Sequence, residues 1–203
     1  MKVKPFAESS EQNKEPILTV LQKEFIESGV VLEIGGGTGQ HAVYFSSELP
    51  HLFWQPTEKA EQLPGILLWM EEAGLANIHG PVELDVSVLP WELDAIDMVF
   101  SANTVHIMSW REVKCMFQGI GDVLRIGGKF CLYGPFNYNN AYTSDSNAQF
   151  DVWLKGRNPE SGIRDFEELN KLALQAGMSL HMDHEMPANN RILVWRKSVT
   201  VSR

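Results

Sequence analysis

Short apolar runs alternate along the chain with stretches in which apolar residues recur every three or four positions. The runs predict buried strands at 30–34, 52–55, 81–86, 96–101 and 129–133. The recurring apolar positions predict helices at 14–28, 38–49, 63–73, 109–124, 147–154 and 165–176. Strands and helices that alternate in this order specify an α/β fold, namely a doubly wound, mostly parallel sheet with helices on both faces.

Three segments add to this alternation. Residues 134–164 are polar and aromatic with only one predicted helix, so we predict that 136–164 form a lid or substrate pocket. Predicted strands 178–186 and 191–197 are joined by Pro187-Ala188-Asn189-Asn190, which indicates a C-terminal antiparallel hairpin. The helix within residues 1–29 precedes the first strand, and we expect it to pack beside the sheet or to cover its ligand-binding edge.

Composition and charge narrow the class of protein. A chain of 203 residues with 44% apolar content can bury one core, so we expect a single domain over 1–203. A net charge of -9 and a pI near 5.1 disfavour a nucleic-acid partner, because an acidic surface repels phosphates. Cys115 and Cys131 fit neither a disulfide framework nor a metal-ligand spacing, so no metal is expected. Without a signal core or an apolar run of membrane-spanning length, the expectation is a cytoplasmic protein with no membrane partner; no oligomeric state is indicated.

The first predicted strand ends in a glycine-rich turn with the pattern Glu33-x-Gly35-x-Gly37-x-Gly39. Glycine accepts a positive φ and lets the backbone approach a ligand, and the next helix directs free N–H groups at the turn. The dinucleotide-binding pattern G-x-G-x-x-G is absent, because Gln40 or Thr38 stands where a glycine is required. An acidic residue followed by three alternate glycines resembles the first motif of the class I methyltransferases, which use S-adenosyl-L-methionine. That resemblance implies cofactor contacts at Glu33, Gly35, Gly36, Gly37 and Gly39. A structural tight turn or a site for another nucleotide is the alternative.

Further candidates for cofactor binding follow the other predicted strands. Glu58 stands 19 positions after Gly39, where a carboxylate can accept both ribose hydroxyls; the alternative is an acid at a helix start. Asp85 ends the third predicted strand, where it could accept from the adenine amino group beside Val86, or cap a turn. Asn103 follows the fourth strand. Because ligands of open α/β sheets bind at the carboxyl ends of the strands, all of these side chains belong to one edge.

Beyond the fold, the chain resembles one small family of uncharacterised methyltransferase-like proteins that carry a domain-of-unknown-function label. Four stretches carry this resemblance: 13–18, 32–41, 54–56 and 133–136, the last with Ser146-Asn147 and 162–165 behind it. Some members of the family have an aspartate where Glu58 stands, which keeps the carboxylate. The resemblance implies a cofactor and does not indicate a substrate.

Methyl transfer needs a base only when the acceptor holds a proton of high pKa. His106 follows the fourth strand and is the candidate base, with a structural hydrogen-bonding role as the alternative. The candidates for substrate contact are Phe136, Tyr138, Asp151 and Arg157. The sequence thus predicts an S-adenosylmethionine-dependent methyltransferase acting on an unidentified small molecule. The alternatives are a non-catalytic, cofactor-binding regulatory or partner protein, and an oxidoreductase, which the missing third glycine disfavours.

Overall fold

The computed structural model describes residues 4–198. In chain order, the elements are α1 (Glu8–Glu24), β1 (Gly29–Ile34), α2 (Gln40–Glu48), β2 (Leu52–Glu58), α3 (Leu63–Ala73), β3 (Val82–Glu83), β4 (Ile96–Ala102), α4 (Trp110–Val123), β5 (Leu124–Gly134), β6 (Phe136–Asn137), α5 (Asp145–Arg157), β7 (Arg164–Asp165), α6 (Phe166–Gln175), β8 (Met178–Met186) and β9 (Asn190–Lys197). A short 3₁₀ turn, Pro187–Asn189, joins β8 to β9. Within residues 4–198, no helix combines the length and the apolar character needed to cross a membrane.

Seven strands form one sheet in the order β3-β2-β1-β4-β5-β9-β8, and β6 and β7 form a separate parallel pair. The strands from β3 to β5 run parallel, while β9 is antiparallel to both β5 and β8. The predicted mostly parallel sheet and its closing hairpin are therefore confirmed. The chain moves outward from β1 to β3 and returns to β4 on the other side of β1. This reversal leaves a crevice at the carboxyl ends of β1 and β4, where ligands of such sheets bind.

Helices cover both faces of the sheet because neighbouring residues of β1 enter different clusters. Val31 packs with Ile17 of α1 and Phe45 of α2, whereas Leu32 packs with the cluster that contains Phe117 of α4 and Leu169 of α6. All six side chains are buried. The doubly wound α/β class predicted from the alternation is the observed architecture.

The first helix begins earlier than predicted, at Glu8 instead of residue 14, and Pro16 lies inside it instead of in its first turn. Residues 8–12 contain no apolar side chain, so no periodicity marks this part of the helix. Glu8 and Glu11 in the first turn favour the helix through its dipole. Because Pro16 has no backbone N–H, the carbonyl oxygen of Gln12 lacks the helical hydrogen bond that residue 16 would normally donate. Both residues line the open cavity described below.

The second and third strands differ from the prediction in length. β2 continues through Pro56 to Glu58. The position of Pro56 that would carry an N–H faces β3, and β3 pairs with β2 only at Thr57 and Glu58. Proline is therefore tolerated in this strand, because no ladder hydrogen bond is lost at Pro56. β3 contains two residues where six were predicted, since the chain turns away at Asp85. β5 starts directly after α4, at Leu124, and α5 extends beyond both predicted ends; β6 and β7 had not been predicted.

Candidate functional site

The turn between β1 and α2 uses its glycines for two different physical reasons. Gly35, Gly37 and Gly39 all have positive φ, at 71°, 55° and 92°. A Cβ at Gly35 would lie 2.5 Å from Cγ2 of Thr104, and one at Gly39 would lie 2.9 Å from Cα of Ile66, so packing requires glycine at both. A Cβ at Gly37 would meet no heavy atom within 4 Å. The turn therefore leaves open space at Gly37, where a ligand can approach the backbone.

Glu33 lies beneath this turn, inside the protein. Its side chain is buried, and one carboxyl oxygen accepts a hydrogen bond of 2.8 Å from the indole N–H of Trp54. Burial, with a smaller contribution from the negative charge of Glu58, raises the pKa of Glu33 to about 7. A Cβ at Gly36 would lie 3.6 Å from this carboxyl group, while the Gly36 amide donates to the carbonyl oxygen of Thr57. Glu33 thus supports the turn from below.

Glu58 is the last residue of β2, two positions beyond the strand residue paired with Glu33. It is partly buried, and one of its oxygens accepts from the backbone N–H of Lys59. Burial raises the pKa of its carboxyl above the ordinary value. The remaining lone pairs have the acceptor character that ribose hydroxyls require.

Asp85 forms a turn of its own. One carboxyl oxygen accepts from the backbone N–H of Ser87 at 2.9 Å and from its hydroxyl at 2.7 Å. These hydrogen bonds lower the pKa of the exposed Asp85 carboxyl. The neighbouring Val86 is buried in the core cluster on the α4 face. The local geometry therefore matches the turn-capping alternative for Asp85, and a cofactor role for Asp85 and Val86 stays a prediction.

Asn103 lies between the glycine turn and a cavity at the same edge of the sheet. It adopts φ 58° after β4, and its backbone N–H donates to the carbonyl oxygen of Tyr133 at the end of β5. Thr104, the next residue, packs against Gly35 and lies 2.6 Å from the hydroxyl of Ser101, which donates to the Ile34 carbonyl. The ends of β1, β4 and β5 are therefore tied together where Asn103 faces the cavity.

The cavity has a volume of about 780 Å³ and opens at the same edge of the sheet. Five parts of the chain form its wall: α1, the segment after β4, the end of β5, α5 and the turn of the C-terminal hairpin. The lining residues are Ser9, Gln12, Asn13, Pro16, Asn103, His106, Ile107, Tyr133, Pro135, Ser146, Asn147, Phe150, Trp153, Leu154, Pro187, Ala188 and Asn190. None of these side chains is an aspartate, glutamate, lysine or arginine.

His106 lies in the wall of this cavity and is only 5% exposed. Its ring and that of Phe150 are nearly perpendicular with centroids 5.3 Å apart, and its Nδ1 has no hydrogen-bond partner among the residues described. Burial, together with the positive charge of Arg164, lowers the pKa of His106 to about 4. Arg164 is held nearby because its guanidinium donates to the carbonyl oxygen of Val105 at 2.9 Å. The imidazole is therefore neutral at pH 7.

Helix α1 is fastened to the start of α2, so that it forms a fixed wall of the cavity. The backbone N–H of Ala7 donates to Oε1 of Gln40 at 2.6 Å, and Nε2 of His41 donates to Oδ1 of Asn13 at 2.7 Å. Burial lowers the pKa of His41 to about 4, so this donor is a neutral imidazole. The helix that follows the glycine turn thereby fixes one wall of the cavity.

Residues 4–197 match the model of a family described as a protein of unknown function, DUF938. The chain belongs to this DUF938 family. The resemblance to an uncharacterised small family is therefore confirmed over nearly the full length.

The fold of this DUF938 protein is that of the class I methyltransferases. It is similar to an O-methyltransferase family protein from Burkholderia thailandensis, with a TM-score of 0.82 and 14% identity over 95% of this chain and 58% of that chain. Human N-acetylserotonin methyltransferase in complex with S-adenosylmethionine gives a TM-score of 0.79 and 17% identity over 95% and 53% of the two chains. Sterol methyltransferase-like 3 from Botryococcus braunii is 25% identical over 165 residues, which are 80% of this chain and 41% of that protein. The DUF938 chain thus spans about half the length of these proteins.

The four predicted substrate contacts do not line this cavity, and their role in substrate binding stays a prediction. Phe136 is fully buried in the core cluster of the α4 face. The Tyr138 hydroxyl donates to Asp183 on the C-terminal hairpin. Asp151 is 1% exposed and accepts from the backbone N–H of Ile163, besides Tyr142 and Lys155. Arg157 is exposed, with its guanidinium 4.8 Å from the ring of Trp153. Phe136 is thus held by core packing, Tyr138 and Asp151 by hydrogen bonds, and Arg157 by a cation–π contact.

Sequence reasoning missed most of the residues that do face the cavity, among them Gln12, Tyr133, Asn147, Phe150 and Asn190. Tyr133 and Asn147 lie in stretches that carry the family resemblance, so these stretches could have indicated both as candidate cavity residues. The predicted segment 136–164 contributes α5 to the wall, while its action as a lid stays a prediction. In the part of the chain that is described, no three His, Cys, Asp or Glu side chains are grouped to hold a metal ion.

Proposed function

We propose that this DUF938 protein is an S-adenosylmethionine-dependent methyltransferase that acts on a small molecule bound in the 780 Å³ cavity. One observation carries the proposal: the glycine turn, which leaves open space at Gly37, adjoins the cavity through Thr104 and Asn103. A cofactor on the turn and an acceptor in the cavity would be neighbours at the carboxyl edge of the sheet. Two adjoining sites that bring reactants together are the main requirement for a transfer reaction.

The residues of the turn fit the cofactor. Gly37 leaves its backbone open, the first turn of α2 directs free N–H groups at the loop, and Glu58 offers carboxylate acceptors for ribose hydroxyls. Glu33 supports the turn from the interior, and Asn103 links it to the cavity. When bound, S-adenosylmethionine supplies an electrophilic methyl group on a positively charged sulfur. Human N-acetylserotonin methyltransferase, which has a similar fold, is described in complex with S-adenosylmethionine, and this supports the same assignment.

His106 is the candidate for handling the acceptor's proton. Its imidazole is neutral and lines the cavity, and because Nδ1 is buried, Nε2 is the nitrogen available to accept a hydrogen bond from the acceptor. A pKa of about 4 makes it a weak base before reaction. However, the proton of a hydroxyl becomes far more acidic as its oxygen gains a methyl group, so a weak base in position is sufficient. The imidazole would first orient the acceptor and then take its proton.

The second candidate function is that of a non-catalytic, cofactor-binding partner or regulatory protein. The observation that favours it is the same low pKa of His106, because the cavity then contains no strong base. Incubation with S-adenosylmethionine and small-molecule extracts separates the two candidates. Formation of S-adenosylhomocysteine that depends on the extract supports the enzyme, and its absence supports the non-catalytic protein.

The first test is thermal unfolding with and without S-adenosylhomocysteine, using NAD as the control ligand. A ligand at about a thousand times its Kd stabilises the native state by about 4 kcal/mol. For a chain of this size, the expected rise in Tm is roughly 8–16 °C. A rise with S-adenosylhomocysteine alone supports the proposal. A rise with NAD alone would favour the oxidoreductase, and no rise at saturation would overturn the cofactor assignment.

A further inference from the structure

The large cavity is uncharged, although 21% of the residues in the chain are charged. No lysine, arginine, aspartate or glutamate lines it, and its two ionisable side chains, His106 and Tyr133, are both neutral at pH 7. The pKa of His106 is about 4, and burial raises the pKa of Tyr133 above its ordinary value. A charged group entering this cavity would lose hydration without meeting a counter-ion among the lining side chains, which is costly. The guanidinium of Arg157 on the Trp153 ring and that of Arg164 near His106 lie outside this lining.

One wall of the cavity is aromatic and suits a ring. Phe150 and Trp153 of α5 are stacked, with ring centroids 5.7 Å apart and an angle of 18° between their planes. Leu154 continues this wall, and the ring of His106 packs nearly perpendicular to that of Phe150. A flat aromatic or alicyclic ring gains both apolar burial and stacking against such a surface.

The remaining wall carries carboxamides in place of charges. Five residues provide them: Gln12, Asn13, Asn103, Asn147 and Asn190. A carboxamide both donates and accepts hydrogen bonds, so it binds neutral polar groups without selecting a charge. Some of these amides are already engaged, since Asn13 accepts from His41 and Asn147 donates to Thr143. In contrast, Nδ1 of His106 is buried beside Gly134 with no partner among the described residues, which leaves Nε2 as the ring nitrogen that a ligand hydroxyl can reach.

We propose that the cavity binds an uncharged, ring-bearing small molecule whose hydroxyl group donates a hydrogen bond to the imidazole of His106. The ring would stack on Phe150 and Trp153, and the carboxamides would bind its other neutral polar groups. The assignment of this molecule as the methyl acceptor rests on the proposed function. The preference for an uncharged ring follows from the residues that line the cavity and does not depend on that function. The same chemistry disfavours molecules with carboxylate, phosphate or ammonium groups.

Four probes of similar size test this preference on the whole protein saturated with S-adenosylhomocysteine. Tyrosol is a neutral phenol, 4-hydroxyphenylacetate adds a carboxylate, tyramine adds an ammonium group, and 4-ethylanisole lacks the phenolic donor. Ligand-observed NMR titrations should give tyrosol a Kd at least tenfold lower than the Kd of each of the other three. Equal binding of either charged probe overturns the inference, as does binding by none of the four.

A designed charge at the mouth of the cavity provides a second, independent measurement. Ser9 is exposed in the first turn of α1, where an acidic residue is compatible with the helix dipole. Ser9→Asp should improve the binding of tyramine relative to tyrosol severalfold, and the isosteric variant Ser9→Asn should leave that ratio unchanged. If tyramine and tyrosol bind with the same affinity ratio in both variants, the cavity does not select ligands by charge and the inference is contradicted.

The same samples separate this inference from the proposed function. Thermal unfolding with S-adenosylhomocysteine reports on the cofactor site alone. A normal Tm rise together with indiscriminate probe binding rejects only the substrate class. Selective binding of tyrosol without a Tm rise rejects the methyltransferase proposal and leaves the uncharged ring-binding cavity in place.

Discussion

Gly37 and Gly74 share nearly the same left-handed backbone, with φ of 55° and 60°, and a Cβ at either position would meet no heavy atom within 4 Å. They differ in location, because Gly37 lies in the turn after β1 whereas Gly74 caps the C-terminus of α3. An added side chain therefore causes similar backbone strain at both positions and reaches the proposed cofactor only at Gly37. The pair separates loss of stability from loss of binding.

Gly37→Val should abolish binding of S-adenosylhomocysteine, because the branched side chain would occupy the space that the ribose needs. Gly74→Val is the matched control and should retain normal affinity. Both variants should lose about 1–2 kcal/mol of stability from the left-handed backbone. Isothermal titration calorimetry on the folded variants measures the affinities. Near-normal binding by Gly37→Val would reject the turn as the cofactor site.

Glu58→Ala should weaken the binding of S-adenosylhomocysteine by roughly 1.5–3 kcal/mol, the contribution of hydrogen bonds to a charged group. Glu61→Ala removes an exposed carboxylate nearby and serves as the control. Burial raises the pKa of Glu58, so this carboxylate takes up a proton at a higher pH than an ordinary glutamate does. As the pH is lowered, cofactor affinity should therefore start to fall at that higher pH. If the two variants bind equally well, the ribose is held elsewhere.

The sequence was most informative where local signals and tertiary structure agree. The glycine turn lies where its spacing predicted, and the C-terminal hairpin pairs as expected. At the start of α4, Ser109 accepts from the Glu112 N–H while the Glu112 carboxyl accepts from the Ser109 N–H, which is the predicted capping box. Each of these features depends on residues a few positions apart.

Long-range contacts explain what the sequence did not indicate. The first turns of α1 carry no apolar pattern, and the hydrogen bond between Ala7 and Gln40 joins positions 33 residues apart. Phe136 was a candidate substrate contact because it stands in a polar, aromatic segment. It is buried because β6 pairs with β7, 28 positions further along the chain, which no local pattern specifies. The wall of the cavity is assembled in the same way from five distant segments.

Glu33 should make the stability of the ligand-free protein fall as the pH rises. Its pKa is about 7 in the folded state against 4.5 for the ordinary group, so between these values the folded protein holds a proton that the unfolded chain has released. This contribution to the free energy of unfolding is largest below pH 4.5 and is lost as the pH passes 7. Glu33→Gln keeps an acceptor for the Trp54 N–H and cannot ionise. Relative to the wild type, it should gain about 2–3 kcal/mol between pH 5 and pH 8 in denaturant unfolding. A constant difference between the two proteins would show that Glu33 ionises normally.

His106 should remain neutral in the folded protein from pH 8 down to about pH 5, because burial and Arg164 lower its pKa to about 4. Below pH 6.5 the imidazole is protonated in the unfolded chain but stays neutral in the folded protein. This group therefore lowers the free energy of unfolding as the pH falls towards 4. Long-range proton–nitrogen NMR spectra follow the ring nitrogens through this range, and His106→Phe identifies the resonances by their loss. A neutral imidazole also requires that tyrosol bind equally well at pH 6 and pH 8. A protonation midpoint near 6.5 would instead leave His106 charged under mildly acidic conditions, and tyrosol binding would then weaken below that pH.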